Sequence, residues 1–224
     1  MWYYSVPMIE EAVKFKTSRG LKLAGAILAP EEGLHDVVIF AHGTGSSKAS
    51  PRNRGIAEGL LDHGVASFLF DFTGHGQSDG IAEQSTADQQ FDDVISALDY
   101  LTGQAFFQAR FIGVNGSSTG GTAAIRAAAE DPRIEVMVLR VPRNHDVLNY
   151  ASRVQAPTLI IQGSEDSAVL PEAMEIYEAL QCEKELHIIE GAGHLFDEEP
   201  RLLREMNAAA CVWFEKWFGV LGED

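Results

Sequence analysis

Hydrophobic residues along this chain fall into two alternating patterns, short unbroken apolar runs and longer stripes spaced three or four residues apart. "EEAVKFKTS" (10–18) and "LKLAGAILA" (21–29) flank the turn signal Arg19-Gly20 and predict an antiparallel hairpin. "DVVIFA" (36–41), "VASFLFDF" (65–72), "RFIGVN" (110–115), "IEVMVLRV" (134–141), "PTLIIQG" (157–163) and "ELHIIE" (185–190) read as buried strands. Between them, Ile56, Leu60 and Leu61 mark a helix in "NRGIAEGLLDHG" (53–64), which closes on Gly64. Phe91, Val94, Ile95, Leu98 and Leu101 stripe a second helix over 85–104. "TGGTAAIRAAAED" (119–131), "LPEAMEIYEAL" (170–180) and "EPRLLREMNAAACVWFEKWF" (199–218) are the remaining helices. Strands separated by single helices predict an α/β fold of right-handed βαβ units, with a mostly parallel sheet covered on both faces. Ligands of such sheets sit beyond the carboxyl ends of the strands, which directs attention to the loops after residues 41, 72, 115, 141, 163 and 189.

Composition narrows the picture. The 224 residues are 46% hydrophobic, enough for one sizeable core, and no repeat or linker-like segment divides them, so a single domain over 1–224 is expected. The net charge of −16 argues against nucleic acid and anionic membranes as partners, since both require basic patches. Cys182 and Cys211 show no metal-ligand spacing and read as buried thiols rather than a disulfide framework. "MWYYSVPMIEEAVKF" has no basic segment followed by a long apolar one, and no run of about 18 apolar residues exists. The expectation is a cytoplasmic chain without a membrane span. No metal or cofactor is called for.

The chemistry gathers at the predicted strand ends. Gly116-Ser117-Ser118-Thr119-Gly120 fits G-x-S-x-G between a buried strand and a small-residue helix, the setting of a nucleophile elbow. The central residue of such a turn is strained, and the positions two before and two after it must lack bulk. Gly116 and Gly120 satisfy this around Ser118, whereas Ser117 has Asn115 and Thr119 at those positions. A Gly/Ser-rich turn without chemistry is the plain alternative, and a phosphate cradle lacks its lysine. A serine alkoxide needs a proton acceptor, and Asp166 in "QGSEDSAVLP" and His194 in "EGAGHLF" follow in the order Ser, Asp, His. Glu165 and Asp146 are rival acids, and His187, His63 and His35 read as strand, surface or turn residues. Oxyanion donors are expected from the backbone N–H groups of Thr119 and, after the first central strand, Thr44 in "AHGTGSS", which leaves both side chains free to vary. His42 is read as tying that loop together.

With "AHGTG", "DFTGHGQSDG", "GSSTGG", "GSEDSAVLP" and "GAGH" in succession, the chain resembles the α/β-hydrolase superfamily, and within it the small dienelactone-hydrolase-like proteins. The resemblance implies an α/β-hydrolase fold with an eight-stranded, mostly parallel sheet in which only the second strand is antiparallel. It implies Ser118 as nucleophile, Asp166 as acid, His194 as base, and Thr44 and Thr119 as oxyanion donors. True dienelactone hydrolases carry cysteine at the elbow; Ser118 here favours a serine esterase acting on small carboxylic esters. Peptidase, thioesterase and lactonase chemistry use the same groups, and a non-catalytic binding protein is the alternative of another class. Residues 142–155 are too few for a cap domain, so an open pocket is expected.

Substrate contacts are less defined. Arg140 and Arg143 leave a strand at the active end, where either could meet a substrate carboxylate or simply pair with a surface acid. Leu170 and Phe196, with Met137, could line an acyl pocket or pack the core. Trp217 and Phe218 close the last helix as core residues or as a homodimer contact, so monomer and homodimer both stand.

Overall fold

The computed structural model describes residues 8–30, 35–103 and 109–219. The extreme N-terminal residues weighed above for a leader segment, and Gln104 at the end of the second helix, lie outside these. Eight strands form one sheet: β1 (Met8–Lys16), β2 (Lys22–Pro30), β3 (His35–Ala41), β4 (Ala66–Phe70), β5 (Ala109–Ser117), β6 (Val136–Arg140), β7 (Thr158–Gly163) and β8 (Lys184–Ile189). Their spatial order is β1-β2-β4-β3-β5-β6-β7-β8. β2 runs antiparallel to both β1 and β4, and every other neighbouring pair is parallel, so β2 alone is reversed.

Alternation along each strand builds two cores. In β3, Val37, Ile39 and Ala41 face one layer, while Val38 and Phe40 face the other. The first layer is closed by α2 (Ala87–Thr102), α3 (Thr119–Glu130) and α5 (Leu170–Ala179), through residues such as Val94, Leu98, Ile125 and Ile176. The second is closed by α1 (Pro51–Leu61) and α6 (Pro200–Phe218), through Ile56, Leu60, Leu202, Met206 and Phe214. Each of these side chains is fully or nearly fully buried, a gain of about 1.5–3 kcal/mol apiece for the larger apolar ones. α6 starts at Pro200, whose missing N–H costs nothing at a helix start, and ends at Gly219 with φ +69°. Phe218 is buried and stacks on Phe214 at 5.9 Å, so it belongs to the core rather than to a contact between chains; Trp217 is half-buried against the same layer.

Residues 142–155 carry only the four-residue helix α4 (Leu148–Ala151). α1 begins two residues before the apolar stripe suggested, because Pro51 presets the helical φ at its first turn. Among the described residues no helix is long and apolar enough to cross a membrane. Cys211 is a buried free thiol; Cys182 is free and only half-buried.

Candidate active site

Strand order reverses at β3 and β5: β4 lies on one side of β3 and β5 on the other. A crevice must open there beyond the strand ends. β5 runs into Ser118, which has φ 53° and ψ −120° and precedes the first residue of α3. For a non-glycine residue this is a costly conformation, held because its neighbours fix it. The Ser118 N–H donates to the Arg140 carbonyl at 3.0 Å, and the Ser118 carbonyl accepts from Gly121 at 2.9 Å. A Cβ on Gly120 would stand 2.2 Å from the Ala41 carbonyl oxygen and 2.4 Å from that of His42. One on Gly116 would stand 2.7 Å from the Gly121 Cα. Both flanking positions therefore exclude any side chain.

The loops after β7 and β8 are tied to each other. The Glu165 N–H donates to the Ala192 carbonyl at 2.9 Å, and the Gly191 N–H donates to Ser164 Oγ at 2.9 Å. Glu198 Oε1 accepts from the Gly193 N–H at 2.9 Å. Within this frame His194 Nδ1 lies 2.7 Å from Asp166 Oδ2, which also accepts from Gln162 Nε2 at 3.3 Å. Asp166 is 8% exposed. Its partnership leaves His194 Nε2 as the free ring nitrogen. Ser118 and His194 line one cavity of about 100 Å³, and no hydrogen bond joins them among the described residues. Nucleophile–base bonds are commonly long before substrate arrives.

The rival groups lie elsewhere. Glu165 is exposed, and Asp146 is exposed with φ 53°. His187 Nε2 is 3.3 Å from Glu205 and His63 Nε2 is 3.4 Å from Glu215. His42 is buried, its Nδ1 donating to the Gly43 carbonyl at 2.8 Å and its Nε2 accepting from the Phe72 N–H at 3.1 Å. Burial, the largest influence, pushes it down to about 4. The next loop is bonded in turn, since Asp71 accepts from the Lys48 N–H, Lys48 Nζ and the Gln77 N–H. His42 thus braces the β3 loop against the β4 loop.

Thr44 differs from expectation. Its N–H donates to Thr119 Oγ1 at 3.1 Å, and the two hydroxyl oxygens are 3.0 Å apart. The side chains at 44 and 119 are therefore not free to vary, because the hydroxyl of Thr119 holds the Thr44 donor and bonds to the Thr44 hydroxyl. The N–H of Thr119 sits at the first position of α3, where no intrahelical acceptor exists and the helix dipole is positive.

The substrate-contact candidates divide. Phe196, buried with φ 56°, lines the cavity. Leu170 opens α5, donating to the Asp166 carbonyl at 2.9 Å, and lies outside the cavity lining. Met137 is wholly buried in mid-strand. Arg143 is held by Glu172, at 2.9 Å, and is likewise outside the lining. Arg140 is neither a surface residue nor paired with an acid; it is 1% exposed and forms part of the cavity wall. Sequence reasoning missed Ser50, Arg52 and Asn53, which line the same cavity from the first turn of α1. Pro51, as a helix-start signal, could have found them. Among the described residues no three His, Cys, Asp or Glu side chains are placed to hold a metal ion.

Comparison with known proteins fits this architecture. A family model described as "Serine aminopeptidase, S33" matches residues 33–145. The solved structure of a dienelactone hydrolase from Anabaena variabilis is 35% identical with a TM-score of 0.84, over 94% of this chain and 98% of that one. An esterase from Pyrococcus furiosus is 25% identical with a TM-score of 0.84, over 95% and 94% of the two chains. A Mycobacterium tuberculosis protein named as a phosphoribosyl transferase is 34% identical over 93% of this chain but only 46% of its own length. The chain thus spans about half the length of the curated relatives it matches most strongly. It belongs to the α/β-hydrolase family that the serine aminopeptidase S33 model describes, with a dienelactone-hydrolase-like fold.

Proposed function

We propose that this chain is a serine hydrolase that cleaves small carboxylic esters through an acyl-enzyme. The reading rests on one observation, the 2.7 Å contact between His194 Nδ1 and buried Asp166 at the rim of the cavity that Ser118 lines from a positive-φ turn. Asp166 holds the imidazole with Nε2 available and stabilises the imidazolium once formed. Ser118 Oγ then attacks the ester carbonyl carbon while its proton passes to Nε2. The tetrahedral oxyanion is received by the N–H groups of Thr119 and Thr44, the latter once the Thr119 hydroxyl turns aside. Collapse breaks the carbon–oxygen bond, and the alcohol leaves with the proton from Nε2. Water repeats the sequence on the acyl-serine and releases the acid.

A cavity of about 100 Å³ is small beside the ~300–1,000 Å³ of ordinary ligand pockets, which favours short acyl groups. An aminopeptidase reading is disfavoured by charge, because Arg52 and Arg140 in the cavity lining would repel a peptide's terminal ammonium. The test is Ser118→Ala assayed on p-nitrophenyl acetate and butyrate, with fluorophosphonate labelling beside it. Turnover should fall by about 10⁴–10⁶ in kcat and labelling should vanish. A mutant that still labels and turns over would end the proposal.

A further inference from the structure

Among the described residues Arg140 is the largest fully buried side chain. Its guanidinium carries five N–H groups. Nε donates to Asn115 Oδ1 at 3.2 Å, one Nη to Asn53 Oδ1, and the other approaches Met206 Sδ at 3.9 Å. All three acceptors are neutral, which leaves two N–H groups without a partner among the described residues. Burial, with a smaller contribution from the charge of Arg52, pushes Arg140 down to about 9, so it remains a cation at neutral pH. Natural proteins seldom bury an unpaired charge, because the desolvation cost is not repaid unless a counter-charge arrives.

Arg52 strengthens the case. It is half-buried in the same cavity wall, and no hydrogen bond or ion pair engages it among the described residues. In a chain of net charge −16, Arg54, Arg110, Arg126, Arg133, Arg143, Arg153 and Arg201 are all bridged to carboxylates; of the arginines without a bridge among the described residues, Arg19 and Arg204 are exposed, while Arg140 and Arg52 share the cavity of Ser118. Ser50 and buried Asn53 add polar groups beside them, and Asn115 Nδ2, next to the guanidinium, is buried without an acceptor. The acidic partner that this wall lacks must come with the ligand.

We propose that the wall formed by Arg140 and Arg52 is a carboxylate subsite, selecting esters that bear a negative charge close to the scissile carbonyl. The proposal rests on the serine-hydrolase reading for its reaction, though not for its binding. A planar carboxylate matches the fork of a guanidinium, and burial makes the contact far stronger than at the surface. The small cavity limits the charged group to a few bonds from the ester.

Two ester pairs test it, monomethyl succinate against methyl butyrate and O-acetylglycolate against ethyl acetate, followed by acid release at pH 7. The charged member of at least one pair should show kcat/KM tenfold or more above its neutral partner. Arg140→Met should cut that ratio at least tenfold, and Arg52→Gln, which alters a half-buried residue and guards against misfolding of the first variant, at least threefold. Equal rates within both pairs, or a ratio that survives both substitutions, would overturn the carboxylate subsite. Binding is read separately in Ser118→Ala, where millimolar monomethyl succinate should raise Tm and should fail to do so once Arg140→Met is added. A wild type that cleaves no ester yet shows the Arg140-dependent rise would refute the hydrolase reading alone. A rise that persists without Arg140 would refute the subsite alone.

Discussion

The side chain of His194 is 37% exposed while that of Asp166 is 7% exposed, so the carboxylate, not the ring, is the fixed member of the pair. Asp166→Asn keeps the shape but offers a donor where His194 Nδ1–H needs an acceptor, which favours the wrong tautomer. We expect a loss of about 10⁴ in kcat with the fold unchanged by circular dichroism, and a parallel fall in the fluorophosphonate labelling rate. Glu165 cannot rescue it, being exposed and bonded through its backbone to the Ala192 carbonyl. A decline of less than tenfold would remove Asp166 from the proposed mechanism. The placement of Ser118, Asp166 and His194 in strand-end loops was legible because each lies beside glycines that mark a strand end, and local pattern reports strand ends well. The position of Arg140 at the active end was legible, but its burial was not. Its burial depends on Asn53 and Met206, residues 87 and 66 positions away, and no local signal says that a charged residue at a strand end will be roofed by two distant helices. Arg143, three residues on, meets Glu172 by the same kind of distant pairing and is spoken for.

At the scale of elements, the site depends on how closely α3 and β3 approach. The distances at Gly120, 2.2 and 2.4 Å from an added Cβ to backbone oxygens, concern backbone that cannot rotate away. Gly120→Ala must therefore separate α3 from β3. An overpacking cost of about 2–3 kcal/mol is expected, together with a marked loss of the proposed esterase activity. Gly20 provides the contrast: its φ is +84° and nothing lies within 4 Å of an added Cβ. Gly20→Ala should cost only about 1 kcal/mol, from conformation alone, and should leave activity intact. Denaturant unfolding of both variants separates steric from conformational demand, and equal costs would show that the close approach at the elbow is not the constraint. The hairpin, the parallel strands and the long helices followed from the apolar period, since burial on one or two faces is what writes that period. The first two residues of α1 did not, because Pro51 and Arg52 sit ahead of the stripe. A helix start that serves a cavity carries no apolar signature, and only Pro51 marked it.

For the whole molecule, the interior group that acidification strains is His42, while buried Asp93, whose carboxyl is pushed up chiefly by burial, works the other way. Most of the 33 Asp and Glu residues face solvent, where salt screens their repulsion over roughly 8 Å at physiological ionic strength. His42 is 1% exposed, bonded on both ring nitrogens, and flanked by His75, Asp71 and Lys48. Its folded-state value of about 4 stands below the ordinary 6.5. Between these values the unfolded chain binds a proton that the native state refuses. The His42 contribution to stability is therefore complete above pH 6.5, declines as pH falls, and levels off below about 4, a total of roughly 3 kcal/mol at 1.36 kcal/mol per unit. Relief of surface repulsion on approach to the isoelectric point works in the opposite direction, so the two must be separated by mutation rather than by pH alone. His42→Gln should lower stability at pH 7.5 by about 1–2 kcal/mol through its lost hydrogen bonding, yet unfold with a flatter dependence between pH 6.5 and 4. Urea titrations of both proteins in 150 mM salt read the difference directly. Parallel curves would mean that His42 already accepts its proton in the folded state. The brace between the β3 and β4 loops would then have to survive with a charged ring, which the acceptor bond from the Phe72 N–H forbids.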